Sequence, residues 1–171
     1  MAEQTTPSSS DHLTHVDATG AARMVDVSGK DVSSREAVAA GRVQLSSKVL
    51  ALLRGDGVPK GDALAVSRLA GIMGAKRTPD LIPLCHPISV TGVTVDLTVV
   101  DDGVEIRAGV RTADRTGVEM EALTAVAVAG LTLVDMVKAV DRSAVISDVR
   151  VISKSGGRSG TWTRDEADRA R

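Results

Sequence analysis

The sequence predicts an α+β fold, a ferredoxin-like sandwich whose mostly antiparallel sheet carries its helices on one face. Three observations lead there. VTGVTVDLTVV (90–100) alternates apolar with polar residues, Asp101-Asp102-Gly103 makes a turn, and VEIRAGVRT (104–112) alternates back, the pattern of a β-hairpin. Two segments flanking this hairpin repeat apolar residues at helical spacing. Further extended segments stand outside them, so the elements read β, α, α, β, β, α, β, with helices segregated against an antiparallel sheet.

Each element has a local reason. MVDVS (24–28) and the stretch from Glu36 to Leu45 read as extended, although AVAAG within the latter is equally compatible with a helix. Ser46 or Ser47 can cap a short helix through Leu53, which the glycine turn Gly55-Asp56-Gly57 stops. A second helix runs from Gly61 or Asp62 to about Lys76, marked by Leu64, Val66, Leu69, Ile72 and Met73. Thr116-Gly117-Val118-Glu119 is a capping-box pattern opening a long helix to about Val140. AVISDVRVIS (144–153) closes the order as a strand. The long helix is apolar on nearly every face, so it is expected to be buried, and in so small a domain that points to a subunit interface.

Length and composition bound the rest. The 171 residues suit one domain. We expect it to span 13–163, between a polar, disordered tail (1–12) and a charged, frayed end (164–171). A net charge of -1 offers no bulk attraction to nucleic acid or to an anionic membrane. Trp162 is the sole aromatic residue, against the base-stacking surfaces of single-strand binders. The core must be made of Val, Leu, Ile, Ala and Met, whose modest size favours further burial between subunits. One cysteine, Cys85, excludes an internal disulfide and a multi-cysteine zinc site. The start lacks the pattern of a secretory signal. The longest apolar run, Ala122 to Val134, is shorter than the roughly 20 residues of a membrane span. A soluble, cytoplasmic protein is expected.

Several groups could carry chemistry. Asp135 and Lys138 share a helix face, either as a surface ion pair or as a partly desolvated acid/base pair. Glu119 is best explained as the capping-box partner. Glu121 lies within about 40° of Asp135 around the helix, yet fourteen residues separate the two by about 21 Å. One small pocket in a single chain cannot use both, whereas two subunits can supply one each. Lys60-Gly61-Asp62 places a lysine before a helix start, a setting that suits an anion or simply a solvated turn. Lys154-Ser155-Gly156-Gly157-Arg158-Ser159-Gly160 joins bare backbone to two cations, a loop able to cradle phosphate but without Walker spacing. Leu81 to Pro87 brackets Cys85 and His86 with prolines. Neighbours in an extended chain point opposite ways, which speaks against a Cys–His catalytic pair. His86 suits hydrogen bonding or proton transfer, or is a satisfied half-buried histidine. His12 and His15 belong to the mobile N-terminus, so a metal site is not expected.

Together MVDVS, KGD, AKRTPDLIPLCHP (75–87), TGVEMEALTA (116–125), DMVKAVD (135–141) and KSGGRSG (154–160) occur in one order that closely resembles the cyclic pyranopterin monophosphate synthase (MoaC) family, over residues 13 to 163. The resemblance implies a lyase acting on 3′,8-cyclo-7,8-dihydro-GTP, a cyclised GTP derivative made by an upstream radical SAM GTP cyclase, to give cyclic pyranopterin monophosphate and diphosphate. It implies Asp135 as the catalytic acid/base with Lys60 and Lys138 beside it. Leu84, Cys85, His86, Met120 and Glu121 would line the substrate site, with Lys154, its glycine loop and His86 holding the phosphates and Arg35 a further triphosphate ligand. It also implies a hexamer, a trimer of dimers with sites at the dimer interface. No protein cofactor is implied, and any magnesium would arrive with the triphosphate. The rival reading is a non-catalytic nucleotide-binding regulatory module, which needs the phosphate cations but not Asp135.

Overall fold

The structure, a computed structural model, describes residues 14–17, 19–55 and 62–165. Its elements are β1 (Ser33–Gln44), α1 (Ser47–Arg54), α2 (Ala63–Ala75), α3 (Thr78–Leu81), β2 (Val90–Val100), β3 (Gly103–Asp114), α4 (Glu119–Val137), β4 (Val145–Ser155) and β5 (Trp162–Thr163). The strands form one sheet in the order β2-β3-β1-β4-β5, and every pairing is antiparallel. Strands in this order, with a helical crossover before β2 and another before β4, make the expected ferredoxin-like sandwich. The one-turn helix α3 and the short edge strand β5 add to the expected order. MVDVS forms no ladder, and its Val25 and Val27 instead line a cavity.

Alternation on β1 and β3 builds the core. Ala37, Ala39 and Val43 of β1 and Val104, Ile106, Ala108 and Val110 of β3 face α4, which returns Ala122, Ala125, Val126, Ala129 and Leu133. By length and apolarity α4 could cross a membrane, but it is the core helix of this sandwich, with Glu121 buried in its first turn.

The helix-to-helix packing departs from what apolar spacing suggests. On α2 the buried residues are Ala63, Ser67, Gly71, Gly74 and Ala75, whereas Val66, Leu69 and Met73 are exposed. Small side chains bring α2 so close to α4 that a Cβ at Gly71 would lie 2.9 Å from the Ala125 carbonyl oxygen. An alanine normally gains on glycine in a helix by about 0.5–1 kcal/mol. Here backbone cannot yield, so Gly71→Ala is expected to destabilise by about 1–3 kcal/mol, read as a lowered melting temperature. An unchanged or raised melting temperature would show that the α2–α4 contact is looser than this.

Caps follow the sequence in part. Asp62 caps α2 by accepting from the Ala65 amide at 2.9 Å. At α1, Ser46 holds the cap position without a side-chain bond, and its own amide donates to Asp141 Oδ2 at 2.7 Å. Asp141 also accepts from the Ser143 hydroxyl and amide. These bonds, led by the Ser143 hydroxyl, hold its carboxyl down at about 2 and tie the end of α4 to the start of α1.

Candidate active site

Three adjoining cavities surround the N-terminal end of α4. The first, of about 300 Å³, is lined by Leu84, Cys85, His86, Met120 and Glu121, with Val25 and Val27 opposite in sequence. The second is an open cleft of about 890 Å³ lined by four cations, Lys30, Arg35, Lys154 and Arg158, against two carboxylates, Asp31 and Glu119. The third is a notch of about 170 Å³ where Arg35, Lys154 and Gly156 meet the start of α4. Excess positive charge in the cleft, beside a small half-apolar pocket, suits a ring that bears a polyphosphate. A separate hollow of about 440 Å³ on the open sheet face sets Arg42, Arg107 and Arg150 against Asp96, Glu105 and Asp148, so its charges balance and it has no preference for anions.

Local structure explains how the cleft is held. Arg35, on β1, donates from Nε to the Asp114 carbonyl at 2.9 Å and from Nη2 to the Arg115 carbonyl at 3.2 Å. That clamps the end of β3 to β1 and positions the connection into α4. The glycine loop lies directly on this clamp. Gly156 and Gly157 have φ of 91° and 68°, and a Cβ on either would strike the Ser34 carbonyl or the Arg35 guanidinium. Only glycine meets both demands there.

Glu119 departs from expectation. The N-cap of α4 is Val118, no side chain caps it, and the capping box does not form. The Glu119 carboxylate turns to Lys154 and accepts from Nζ at 2.9 Å. The pair joins the first turn of α4 to β4, and Glu119 lines all three cavities. The half-buried ammonium of Lys154 offered a stronger partner than a cap amide.

Glu121 is the buried acid of the pocket, only 3% exposed. Burial, reinforced by the charge of Glu119, pushes its carboxyl from 4.5 up to about 7. Since the folded state binds this proton more tightly, ionisation penalises the fold as pH rises from about 4.5, and the penalty is complete above about 7. Glu121→Gln carries no such penalty. It should melt with the parent chain at pH 4.5 and be more stable at pH 8. The gain should lie between about 1 and 3 kcal/mol, the upper figure from the full displacement and the lower allowing for solvent at the pocket mouth. Equal melting differences at the two pH values would contradict a buried, displaced carboxyl.

Cys85 and His86 both line this pocket. The expectation that they point apart assumed an extended chain, whereas the Cys85 amide donates to the Ile82 carbonyl at 3.0 Å and closes a turn. Among the described residues no hydrogen bond joins the two side chains. His86 donates from Nε2 to the Val25 carbonyl at 2.7 Å, which puts a proton on Nε2. Burial, and then the charge of Glu121, pushes the Cys85 thiol up, away from the reactive thiolate. Cys85→Ser should therefore keep substantial turnover, and a folded but inactive variant would overturn that view.

The chain thus brings seven expected residues together at one end of α4: Leu84, Cys85, His86, Met120 and Glu121 in the pocket, Arg35 and Lys154 in the cleft. It does not bring Asp135 and Lys138 there. They stand at the C-terminal end of the same helix, about 21 Å from Glu121 by helical rise. Their ion pair, Nζ to Oδ1 at 2.6 Å, is more than half exposed. Lys60 lies outside the described residues. Sequence reasoning missed Lys30 and also the wall made by Thr14 and His15. The Val16–Ala22 bridge folds that wall back, and His15 Nδ1 donates to the Arg23 carbonyl at 3.3 Å. Only contacts distant in sequence reveal these residues.

The family model described as the MoaC family matches residues 24–157. A cyclic pyranopterin monophosphate synthase of Streptomyces coelicolor is 70% identical over 169 residues, covering 96% of this chain and 99% of the relative. One from Streptomyces avermitilis is 71% identical over 92% and 93% of the two chains. Cyclic pyranopterin monophosphate synthase 2 of Mycobacterium tuberculosis (strain ATCC 25618 / H37Rv) is 61% identical over 91% and 93%. With the matched region spanning β1 to β4 and every described wall of the pocket beyond Thr14 and His15, the chain belongs to the MoaC family.

Proposed function

We propose that this chain is a cyclic pyranopterin monophosphate synthase acting on 3′,8-cyclo-7,8-dihydro-GTP, supplied by a radical enzyme upstream. The observation that carries the reading is the small pocket around Glu121 and His86 opening beside a cleft with four cations. The pocket accepts the ring system and the cleft its phosphates. The purine five-membered ring opens and a pyran ring closes. An oxygen of the sugar then attacks the α-phosphorus, the bond to the diphosphate breaks, and the cyclic phosphate forms. That last step makes the enzyme a phosphorus–oxygen lyase. No redox step occurs, so what the protein supplies is proton transfer and neutralised phosphate charge. Magnesium enters only with the triphosphate.

Asp135 serves as the acid/base, with Lys138 and Lys60 beside it, and Lys154 steadies the departing diphosphate. The distance along α4 supports a site to which Asp135 comes from another copy of the chain. Exposed Val66, Leu69, Met73 and Leu131 on the helix layer support an assembly that covers them. We assign a hexamer built as a trimer of dimers, in the cytoplasm, with catalysis in residues 13–163. The test is to incubate purified protein with the cyclised nucleotide and measure diphosphate together with pterin product. Equal release of both supports the reading, while binding without turnover leaves a nucleotide-binding module.

A further inference from the structure

We propose that Lys30 is the residue that receives the phosphate nearest the ring, a role distinct from that of Lys154 on the outer phosphates. The inference rests on the function proposed above. The pocket and the cationic cleft share three lining residues, Thr14, Lys30 and Glu119, so a ligand occupying both passes between them. Of these three, Lys30 alone is cationic. Glu119 is an acid at the same junction, and a phosphate passing it needs a compensating positive charge close by.

The other basic groups are otherwise engaged or farther out. Lys154 is held by Glu119, and Arg35 spends Nε and Nη2 on the carbonyls of Asp114 and Arg115. Arg158 lines the cleft but not the pocket. Among the described residues no carboxylate lies within ion-pair distance of the Lys30 ammonium. Its backbone is nonetheless fixed: the Lys30 amide donates to the Val27 carbonyl at 3.0 Å, and its carbonyl accepts from Arg115 Nε at 2.9 Å. A long side chain thus starts from a pinned point at the junction, with its charge unspent. The phosphate it meets is the one attacked when the cyclic phosphate forms, where developing charge on phosphorus-bound oxygens most needs a donor.

The test uses GMP and GTP as unreactive probes with the wild type, Lys30→Met, Lys30→Arg and Lys154→Met, their dissociation constants measured by calorimetry. GMP keeps only the phosphate nearest the ring. Lys30→Met should weaken GMP and GTP by the same factor, about tenfold or more, the scale of one charge-assisted hydrogen bond lost. Lys30→Arg should recover most of that, and Lys154→Met should weaken GTP while sparing GMP. Melting temperatures of the exposed Lys30 variants should match the wild type. The assignment is overturned if Lys30→Met leaves GMP binding unchanged, if it acts on GTP alone, or if the wild type binds neither nucleotide. These measurements involve no turnover. A wild type that binds in this pattern but converts no cyclised substrate would sink the proposed reaction and leave Lys30 in place.

Discussion

Asp135→Asn should lower the rate of diphosphate release by about 10³-fold or more while the protein still folds, assembles and binds its substrate. Loss of a positioned acid/base commonly costs about 10²–10⁴-fold, and in the proposed reaction this group would serve the proton transfers of two ring rearrangements. The substitution preserves shape. Its ion pair with Lys138 is more than half exposed, of a kind contributing only about 0–1 kcal/mol. A melting curve beside the kinetic assay separates a loss of stability from a loss of rate. Retained binding with turnover abolished identifies Asp135 as the acid/base. Turnover at the parental rate would move the acid/base role elsewhere, and Glu121, titrating near neutrality in the pocket, would be the next group to replace.

The second large effect is expected at Lys154. Lys154→Met removes a cation from the cleft and leaves Glu119 without its partner, so a carboxylate faces the incoming phosphates. Both consequences act in the same direction. We expect kcat/KM to fall by about 30- to 1,000-fold, equivalent to about 2–4 kcal/mol. Salt gives an independent readout. KM of the parent protein should rise with ionic strength, and the variant, lacking one phosphate-facing charge, should show a shallower dependence. If the salt dependence is unchanged, Lys154 serves to hold Glu119 and the phosphates lie on Arg158 and Lys30 instead.

The sequence by itself determined the sandwich, and its motifs picked out residues that line the candidate pocket and cleft. Alternation across 90–112 sets the hairpin because side chains on a strand repeat every two residues, and the helical period likewise marks α2 and α4. The apolar perimeter of α4 foretold its burial, and the spacing of Glu121 and Asp135 foretold that one chain cannot bring them together. Three further matters were decided only by tertiary structure. Glu119 has capping-box spacing, but spacing cannot know that β4 will deliver a half-buried ammonium to it. Val66, Leu69 and Met73 of α2 face outward while glycine and alanine make the closer contact with α4, which hydrophobicity alone does not foretell. Lys30, Thr14 and His15 reach the pocket because a bridge and a turn fold the segment before β1 against residues 84–86. Local patterns carry information over a turn of helix or a pair of strands, whereas a site is assembled from chain segments that meet only after the whole core has closed.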